Sequence, residues 1–165
     1  MRMLRHLFAP SANAVFPPAS LQRIHDAIAE DERRHRGEIC FAVEPALHWR
    51  DVWNGFDSRK RAEDTFARLR VWDTAANNGV LVYLLLADHR IEIVADRGLR
   101  DLVSPEQWRG ICQLIEERMK LGEAEDAVLR GVTEIGRLLT LHFPQREGEI
   151  DLDELSNAPV ILPRG

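Results

Sequence analysis

The longest apolar run of the chain lies near its middle and is followed by an alternating segment. Residues 79–87 contain only glycine, valine, leucine, tyrosine and alanine. These nine residues are too few to cross a bilayer, and the run is typical of a strand buried on both faces. Residues 90–96 then alternate polar and apolar, which predicts a half-buried neighbouring strand. Together the two runs predict a central β-hairpin.

The pairing register of this hairpin predicts which polar residues lie close together. If positions 88 and 89 form a two-residue turn, Tyr83 lies opposite Val94 and Gly79 lies opposite Gly98. The end of the hairpin away from the turn then collects polar side chains and glycines in one small polar zone. Any local function is expected in this polar zone, whose candidate binding residues are Asp73, Asn77, Asn78, Asp96 and Arg97.

Apolar residues at helical spacing predict four longer helices around the hairpin. Their expected starts are the caps Ser20, Ser58 and Ser104, and a position near Glu123. A strand with apolar or small residues on both sides is expected over 38–43. The order helix, strand, helix, hairpin, two helices predicts an α/β fold, a sandwich of layers around a small sheet that contains the central hairpin.

The fold prediction divides the chain into three parts. Residues 1–15 form an N-terminal arm, residues 16–143 form the α/β domain, and residues 144–165 form an extended acidic and then apolar tail. The apolar segment between Pro159 and Pro163 would expose large aliphatic side chains if it were free. We expect it to dock in extended form on its own domain or on a neighbouring copy, the latter giving a homo-oligomer; a free terminus is the alternative.

Three aromatic residues precede the second helix at helical spacing. Trp49, Trp53 and Phe56 either pin one helical turn to the body or form an exposed aromatic patch. The large area that an aromatic side chain buries favours the first interpretation.

Composition narrows the function classes. A chain of 165 residues with 45% hydrophobic content can fold as one domain. The formal charge of −5 argues against a nucleic-acid partner. Cys40 and Cys112 lie on apolar backgrounds and are expected to be reduced thiols. The sequence shows no secretory leader and no membrane span, so we expect a cytoplasmic location and no direct membrane insertion.

The pattern over residues 77–99, followed by two helices with Gly122 between them and Gly131 in the second, resembles the TPM domain of bacterial and plastid proteins. The resemblance covers roughly residues 16–143 and is closest to the compact branch without signal peptide or transmembrane helix. It implies a three-layer α/β/α sandwich around a small mixed β-sheet. It also implies links to calcium or magnesium binding, to acid phosphatase activity, and to accessory roles around membrane complexes.

The carboxylates of the polar zone are few for a metal site. Asp73 and Asp96 are the candidate ligands, with Asp101 as a further oxygen donor, and relatives often carry an aspartate where this chain has Ser104. Hard divalent cations prefer several carboxylate oxygens, so any Ca²⁺ or Mg²⁺ binding is expected to be weak. The favoured interpretation is that residues 77–79 only form a turn, since Asn and Gly tolerate positive φ, and a metal or anion site is the alternative.

No catalytic residue is assigned. The six histidines show no metal-ligand spacing on one element, and no nucleophile elbow, phosphate loop or CxxC motif is present. We therefore expect a non-catalytic TPM-domain interaction or accessory module with a protein partner, serving a membrane-associated or multi-protein system. The alternative is a divalent-metal-dependent phosphatase of low activity.

Overall fold

The computed structural model describes residues 1–148 and 154–165. The strands are β1 (Glu38–Glu44), β2 (Gly79–Leu85), β3 (Arg90–Ala95) and β4 (Val160–Ile161). The helices are α1 (Arg2–Leu7), α2 (Ala12–Val15), α3 (Pro18–Glu32), α4 (Trp49–Trp53), α5 (Ser58–Arg68), α6 (Pro105–Lys120) and α7 (Ala124–His142). A short 3₁₀ turn, Arg97–Leu99, follows β3. None of the described helices is both long and apolar enough to span a membrane.

The strands form one mixed sheet in the order β3-β2-β1-β4. β1 runs parallel to β2 and to β4, and β2 pairs antiparallel with β3. Every residue of β1 and β2 is buried, because these two strands lie in the middle of the sheet and are covered on both faces.

Side chains alternate between two hydrophobic cores, one on each face of the sheet. Ile39, Phe41 and Val43 of β1 pack under α3, α6 and α7 in the larger core. Cys40 and Ala42 point the other way, into a smaller core that includes residues of α4 and α5. Helices therefore cover both faces, and the predicted α/β/α sandwich is confirmed.

The predicted hairpin exists, but its register is shifted by two residues. Tyr83 lies opposite Glu92, and Leu81 lies opposite Val94. The shift arises because the N–H groups of the two residues after β2 bond to the carbonyls of Glu44 and Pro45, which removes them from the hairpin. The turn is longer as a result. A shift of two leaves each side chain on its predicted face.

Two of the three predicted helix caps are wrong. Ser104 caps α6 in a full capping box with Gln107. Asp57 caps α5, and its Oδ1 accepts from the Lys60 N–H at 2.8 Å. α3 begins with Pro18 at its first position, so Ser20 lies inside the first turn.

The burial of the segment that contains Trp49, Trp53 and Phe56 also differs from the favoured prediction. Trp49 and Trp53 form the ends of α4 and are 57% and 76% exposed, whereas Val52 between them is buried. Because α4 is only five residues long, the buried side of the helix is taken by Val52 and the two indoles face outward. The expectation that the aromatic side chains pin the helix to the core is wrong for both tryptophans, which are exposed, whereas Phe56 is half-buried.

Both terminal segments are docked on the body. β4 adds to β1 in extended form, with Val160 opposite Ala42 and Ile161 opposite Val43, which confirms the docking predicted for the apolar tail and places it on its own domain. Part of the acidic stretch predicted before it, residues 149–153, lies outside the described residues. At the other terminus, the buried His6 of α1 bonds to Asp88 and to the Leu47 N–H.

Candidate functional site

The polar zone lies at the end of the hairpin opposite the β2–β3 turn. Asn77 has a φ of +52°, a left-handed conformation that asparagine tolerates better than most residues. The Gly98 N–H donates to the Asn77 carbonyl at 2.9 Å, and a Cβ on Gly98 would lie only 2.5 Å from that oxygen. Glycine is therefore required at position 98 for the two backbone segments to approach this closely.

The structure brings three of the five predicted residues together in the polar zone. Arg97 Nε donates to Asn77 Oδ1 at 3.1 Å. Asp96 caps the short 3₁₀ turn, and its Oδ1 accepts from the Arg97 N–H at 2.7 Å. Its other oxygen, Oδ2, is buried and has no hydrogen-bond partner among the described residues. Asp96 thus offers one oxygen that the fold leaves unsatisfied.

The other two predicted residues are used elsewhere. The Asp73 carboxylate accepts from the Arg70 guanidinium at 2.6 Å. Asn78 is fully buried, and its side-chain amide donates to the Arg36 carbonyl at 2.8 Å, which ties β2 to the segment before β1. Asp101 is exposed on the surface after the 3₁₀ turn. In the described chain none of the bonds of Asp73 or Asn78 joins them to Asp96.

These residues supply few ligands for a divalent-metal centre. Ca²⁺ takes six to eight oxygen ligands, several of them carboxylates, and Mg²⁺ takes six, usually one or two carboxylates with waters. Asp96 supplies one free oxygen, but the Asn77 oxygen beside it already accepts from the Arg97 cation. Over residues 1–148 and 154–165 there is no group of three histidine, cysteine, aspartate or glutamate side chains able to hold a metal ion.

A larger feature adjoins the polar zone, a groove of about 610 Å³ along the outer edge of β3. We call it the edge groove. Its walls come from α5, β3, the 3₁₀ turn and the first turns of α6. Five arginines line it, against three acidic residues: Arg59, Arg90, Arg97, Arg100 and Arg109, with Glu92, Asp96 and Glu116.

The arginines of the edge groove fall into two groups. Arg59 and Arg97 are held by the fold, since Arg59 bonds to Glu63 at 2.9 Å and Arg97 bonds to Asn77. The guanidinium groups of Arg90, Arg100 and Arg109 make no hydrogen bond or ion pair with any residue that the structure describes. Three uncommitted cations in one groove form a basic site on a chain whose formal charge is −5.

The exposed backbone of β3 forms the floor of the groove. The Asp96 N–H donates to the Gly79 carbonyl at 2.9 Å, and backbone groups of an antiparallel strand alternate in direction, so Ile93 turns its own groups outward. Its carbonyl accepts from Arg59 Nη1 at 2.7 Å, and its N–H faces the Cys112 sulfur. The side chains of Arg59 and Cys112 therefore cover the outward backbone groups of this edge at Ile93.

The groove contains no activated nucleophile among its described lining. Burial, and then the charge of Glu92, raise the pKa of the Cys112 thiol to about 11, so it is protonated at neutral pH. No described histidine lines the groove to act as a general base. The arrangement can hold an anionic group through the arginines, and its described lining contains no nucleophile paired with a base, which covalent catalysis requires.

The remaining buried ionisable groups have structural roles. Glu44, which is fully buried, accepts from Tyr83 Oη at 2.6 Å and from Arg61 Nε at 2.8 Å. Burial, and then the charge of Glu44, raise the pKa of Tyr83 well above its ordinary value. The buried His35 bonds to the Asp31 carboxylate at 3.0 Å and accepts from the Gly37 N–H, which fixes the link between α3 and β1.

Sequence reasoning missed the edge groove for a specific reason. Arg90, Arg97, Arg100 and Arg109 are interspersed with a similar number of acidic residues, so no basic run appears in the sequence. Only the fold places the arginines around one cavity. The usable signal was the alternation of residues 90–96, which predicted a half-buried edge strand and hence an uncovered edge.

Known proteins resemble this chain in family and in fold. Residues 11–138 match the family model described as the TPM domain. The NMR structure of the BA42 protein from the psychrophilic bacterium Bizionia argentinensis is similar, with a TM-score of 0.76 and 29% identity over 87% of this chain and 92% of that chain. No curated protein matches the sequence.

Proposed function

Since the chain belongs to the TPM domain family, we propose that it is a non-catalytic interaction module, a cytoplasmic accessory protein of a membrane-associated or multi-protein system. The edge groove is its binding surface. The observation that carries the proposal is the set of three arginines in this groove, Arg90, Arg100 and Arg109, that the described fold leaves without a partner.

The chemistry of the groove defines the partner. A guanidinium binds carboxylates in planar, bidentate geometry and is a common anchor in protein interfaces. Trp108, partly buried against the larger core, also lines the groove and provides apolar contact beside the cations. The partner is therefore an acidic segment of another protein. The exposed β3 backbone gives that segment an extended template.

An acidic peptide tests this proposal directly. The full chain is titrated into a fluorescein-labelled oligoglutamate peptide, and binding is followed by fluorescence anisotropy at low salt. The Arg100→Glu, Arg109→Glu double variant is expected to weaken binding by about tenfold or more, because attraction becomes repulsion. Added salt is expected to weaken binding of the unchanged chain.

A matched variant controls for total charge. Arg33→Glu with Arg68→Glu makes the same charge change on exposed arginines outside the groove, and its affinity should stay within about twofold of the unchanged chain. Equal losses in both double variants, or no binding by the unchanged chain, contradict the proposal. The thermal melt of each variant shows whether the fold is intact.

A metal-dependent phosphatase of low activity is the second candidate, and one observation favours it. Asp96 Oδ2 is buried without a partner among the described residues. Since the other oxygen ligands are not assembled there, Ca²⁺ or Mg²⁺ affinity is expected in the millimolar range. This weak site is the reason that the phosphatase takes second place.

Two measurements decide between the candidates. Calorimetric titration with Ca²⁺ and with Mg²⁺ reports metal affinity, and hydrolysis of p-nitrophenyl phosphate by repurified protein reports activity. A micromolar metal response, or hydrolysis above background, that disappears in Asp96→Asn establishes the phosphatase. Hydrolysis at the background rate, with intact peptide binding, supports the interaction module.

A further inference from the structure

Exposed large apolar side chains are concentrated on one part of the surface. Twelve such side chains are exposed in the described chain, and seven of them belong to α1, its flanking residues and α4. We call this set the tryptophan patch: Met1, Met3, Leu4, Leu7, Phe8, Trp49 and Trp53. Single exposed apolar residues are normal on a folded protein, but a cluster of this kind marks an interaction surface.

The fold holds the two helices of the tryptophan patch side by side. His6 of α1 is buried, and its Nδ1 accepts at 3.0 Å from the N–H of Leu47, two residues before α4 begins. The Arg164 guanidinium donates to the Leu7 carbonyl and to the Ala9 carbonyl, which fixes the end of α1. The patch is therefore a preformed surface that needs no ordering of its backbone before it binds.

The charges around the tryptophan patch are basic. α1 contains two arginines and no acidic residue. Arg5 of α1 and Arg50 of α4 make no ion pair with any described residue, and Arg50 lies over the Trp49 ring at 5.3 Å. Although the whole chain carries a formal charge of −5, two arginines without ion pairs lie among these exposed apolar side chains, against the single carboxylate of Asp51 on α4.

We propose that the tryptophan patch adsorbs the protein to the surface of a lipid membrane that contains anionic head groups. This role goes beyond the proposed function and uses a different surface. Tryptophan is enriched at membrane interfaces because its ring is apolar and its N–H is polar. The indole N–H groups of Trp49 and Trp53 make no hydrogen bond in the described chain and are free to meet head groups.

The dimensions and the charges favour a lipid surface over a second protein. α1 has six residues and is only about 9 Å long, so it can lie within the head-group region but cannot cross a bilayer. Arg5 and Arg50 complement anionic lipid and add to the apolar contact.

Vesicle binding of the full chain tests the proposal. Extruded vesicles of phosphatidylcholine alone are compared with vesicles that also contain phosphatidylserine, by co-sedimentation and by tryptophan fluorescence. We expect binding to the anionic vesicles, with a blue shift of the emission and a decrease in binding as salt is added. The Trp49→Gln, Trp53→Gln double variant should bind the anionic vesicles at least about tenfold more weakly than the unchanged chain.

Matched variants assign the binding to this surface. Trp72→Gln changes a tryptophan that is 48% exposed outside the patch, and should retain both binding and the blue shift. Arg5→Glu with Arg50→Glu should weaken binding to anionic vesicles, whereas Arg33→Glu with Arg68→Glu should not. The edge-groove variant Arg100→Glu, Arg109→Glu should bind vesicles as the unchanged chain does, which separates this proposal from the proposed function.

Four results overturn the proposal. The first is that the unchanged chain does not bind either vesicle, and the second is that the Trp49 and Trp53 variant binds as well as the unchanged chain. The third is that binding is lost in the edge-groove variant alone, which assigns it to that groove. If instead the patch variants only convert a dimer to a monomer without lipid, the occupant of the patch is a second copy and the lipid proposal is wrong.

Discussion

The two edges of the sheet are closed in different ways. At one edge the chain adds its own strand, β4, to β1, and the Leu162 N–H extends the pairing by bonding to the Val43 carbonyl at 2.9 Å. At the other edge no described strand follows β3. Among the described side chains, Arg59 Nη1 reaches the outward carbonyl of Ile93 and the Cys112 sulfur faces its N–H.

This difference separates a structural edge from a binding edge. Unpaired backbone groups on a sheet edge attract other strands, and proteins protect them by coverage or by charge. The β1 edge is covered by backbone, which a partner cannot displace without removing the tail. The β3 edge is covered by two side chains and bordered by arginines without partners, so an acidic segment can approach it. The predictions below test this contrast.

The largest effect is expected at Glu44, the last residue of the covered strand β1. Glu44→Ala leaves the Arg61 guanidinium and the Tyr83 hydroxyl without their shared partner, and a broken buried ion pair costs about 3–5 kcal/mol. Urea unfolding followed by circular dichroism measures the loss. The matched control is Glu63→Ala, which removes the exposed pair with Arg59 and should cost under about 0.5 kcal/mol.

Removal of the tail tests the covered edge itself. A chain that ends after Ser156 lacks β4 and the partly buried Val160 and Leu162, so we expect a loss of about 2–4 kcal/mol in the free energy of unfolding. Amide exchange should become fast in β1 on the side that β4 had covered. If copies exchange their tails in solution, the same truncation also converts oligomer to monomer.

A pair of point variants makes this result specific. Leu162→Ala removes a leucine that packs on the smaller core, and Leu141→Ala removes one that is 70% exposed. Only the first should lower the melting temperature. Identical melting of the full-length and truncated chains would show that β4 contributes nothing to the fold.

Much of this architecture could be predicted from the pattern of apolar residues. Burial on both faces identified β1 and β2 as central strands, and the capping signal at Ser104 identified the start of α6, because both depend on local sequence. The hairpin register could not be predicted in the same way. It depends on bonds from the turn to Glu44 and Pro45, which lie on another strand.

The candidate site was predictable only in part, for a similar reason. Asn77, Asp96 and Arg97 were found because they border the hairpin, and the hairpin pairing brings them together. Asp73 was assigned to the site by its position in the sequence alone, but the nearby Arg70 takes its carboxylate. The arginines of the edge groove come from four separate elements, and only tertiary structure gathers them.

A smaller effect on stability is expected at Asp88, which lies in the turn between β2 and β3. Burial acts to raise the pKa of Asp88, but the bonds and charges of Arg2 and His6 outweigh burial and leave this pKa below its ordinary value. The stabilisation by Asp88 is therefore fully present above about pH 3.9, the ordinary value, and is lost as the pH falls through the lowered pKa. Asp88→Asn should cost about 1–3 kcal/mol at neutral pH, because α1 loses its ionic bonds.

The pH dependence separates this effect from a general loss of packing. The difference in unfolding free energy between the unchanged chain and Asp88→Asn should shrink as the pH is lowered below the ordinary carboxyl range. Asp101→Asn, at an exposed aspartate without an ion pair in the described chain, should leave the urea midpoint unchanged. A difference that stays constant from neutral to strongly acid pH contradicts the ionic explanation.

The smallest change in stability, with a larger change in association, is expected at Arg59 on the open edge. Arg59→Ala removes a partly exposed side chain, so the free energy of unfolding should fall by no more than about 1 kcal/mol. It also uncovers the Ile93 carbonyl and removes a charge from the β3 edge, which lets another strand approach. Sedimentation velocity should then show larger species than the unchanged chain forms at the same concentration, whereas Arg33→Ala, at an exposed arginine on a different element, should not. If Arg59→Ala sediments as the unchanged chain does, the two side chains at Ile93 are not what keeps this edge unpaired, and the contrast between the two edges needs another cause.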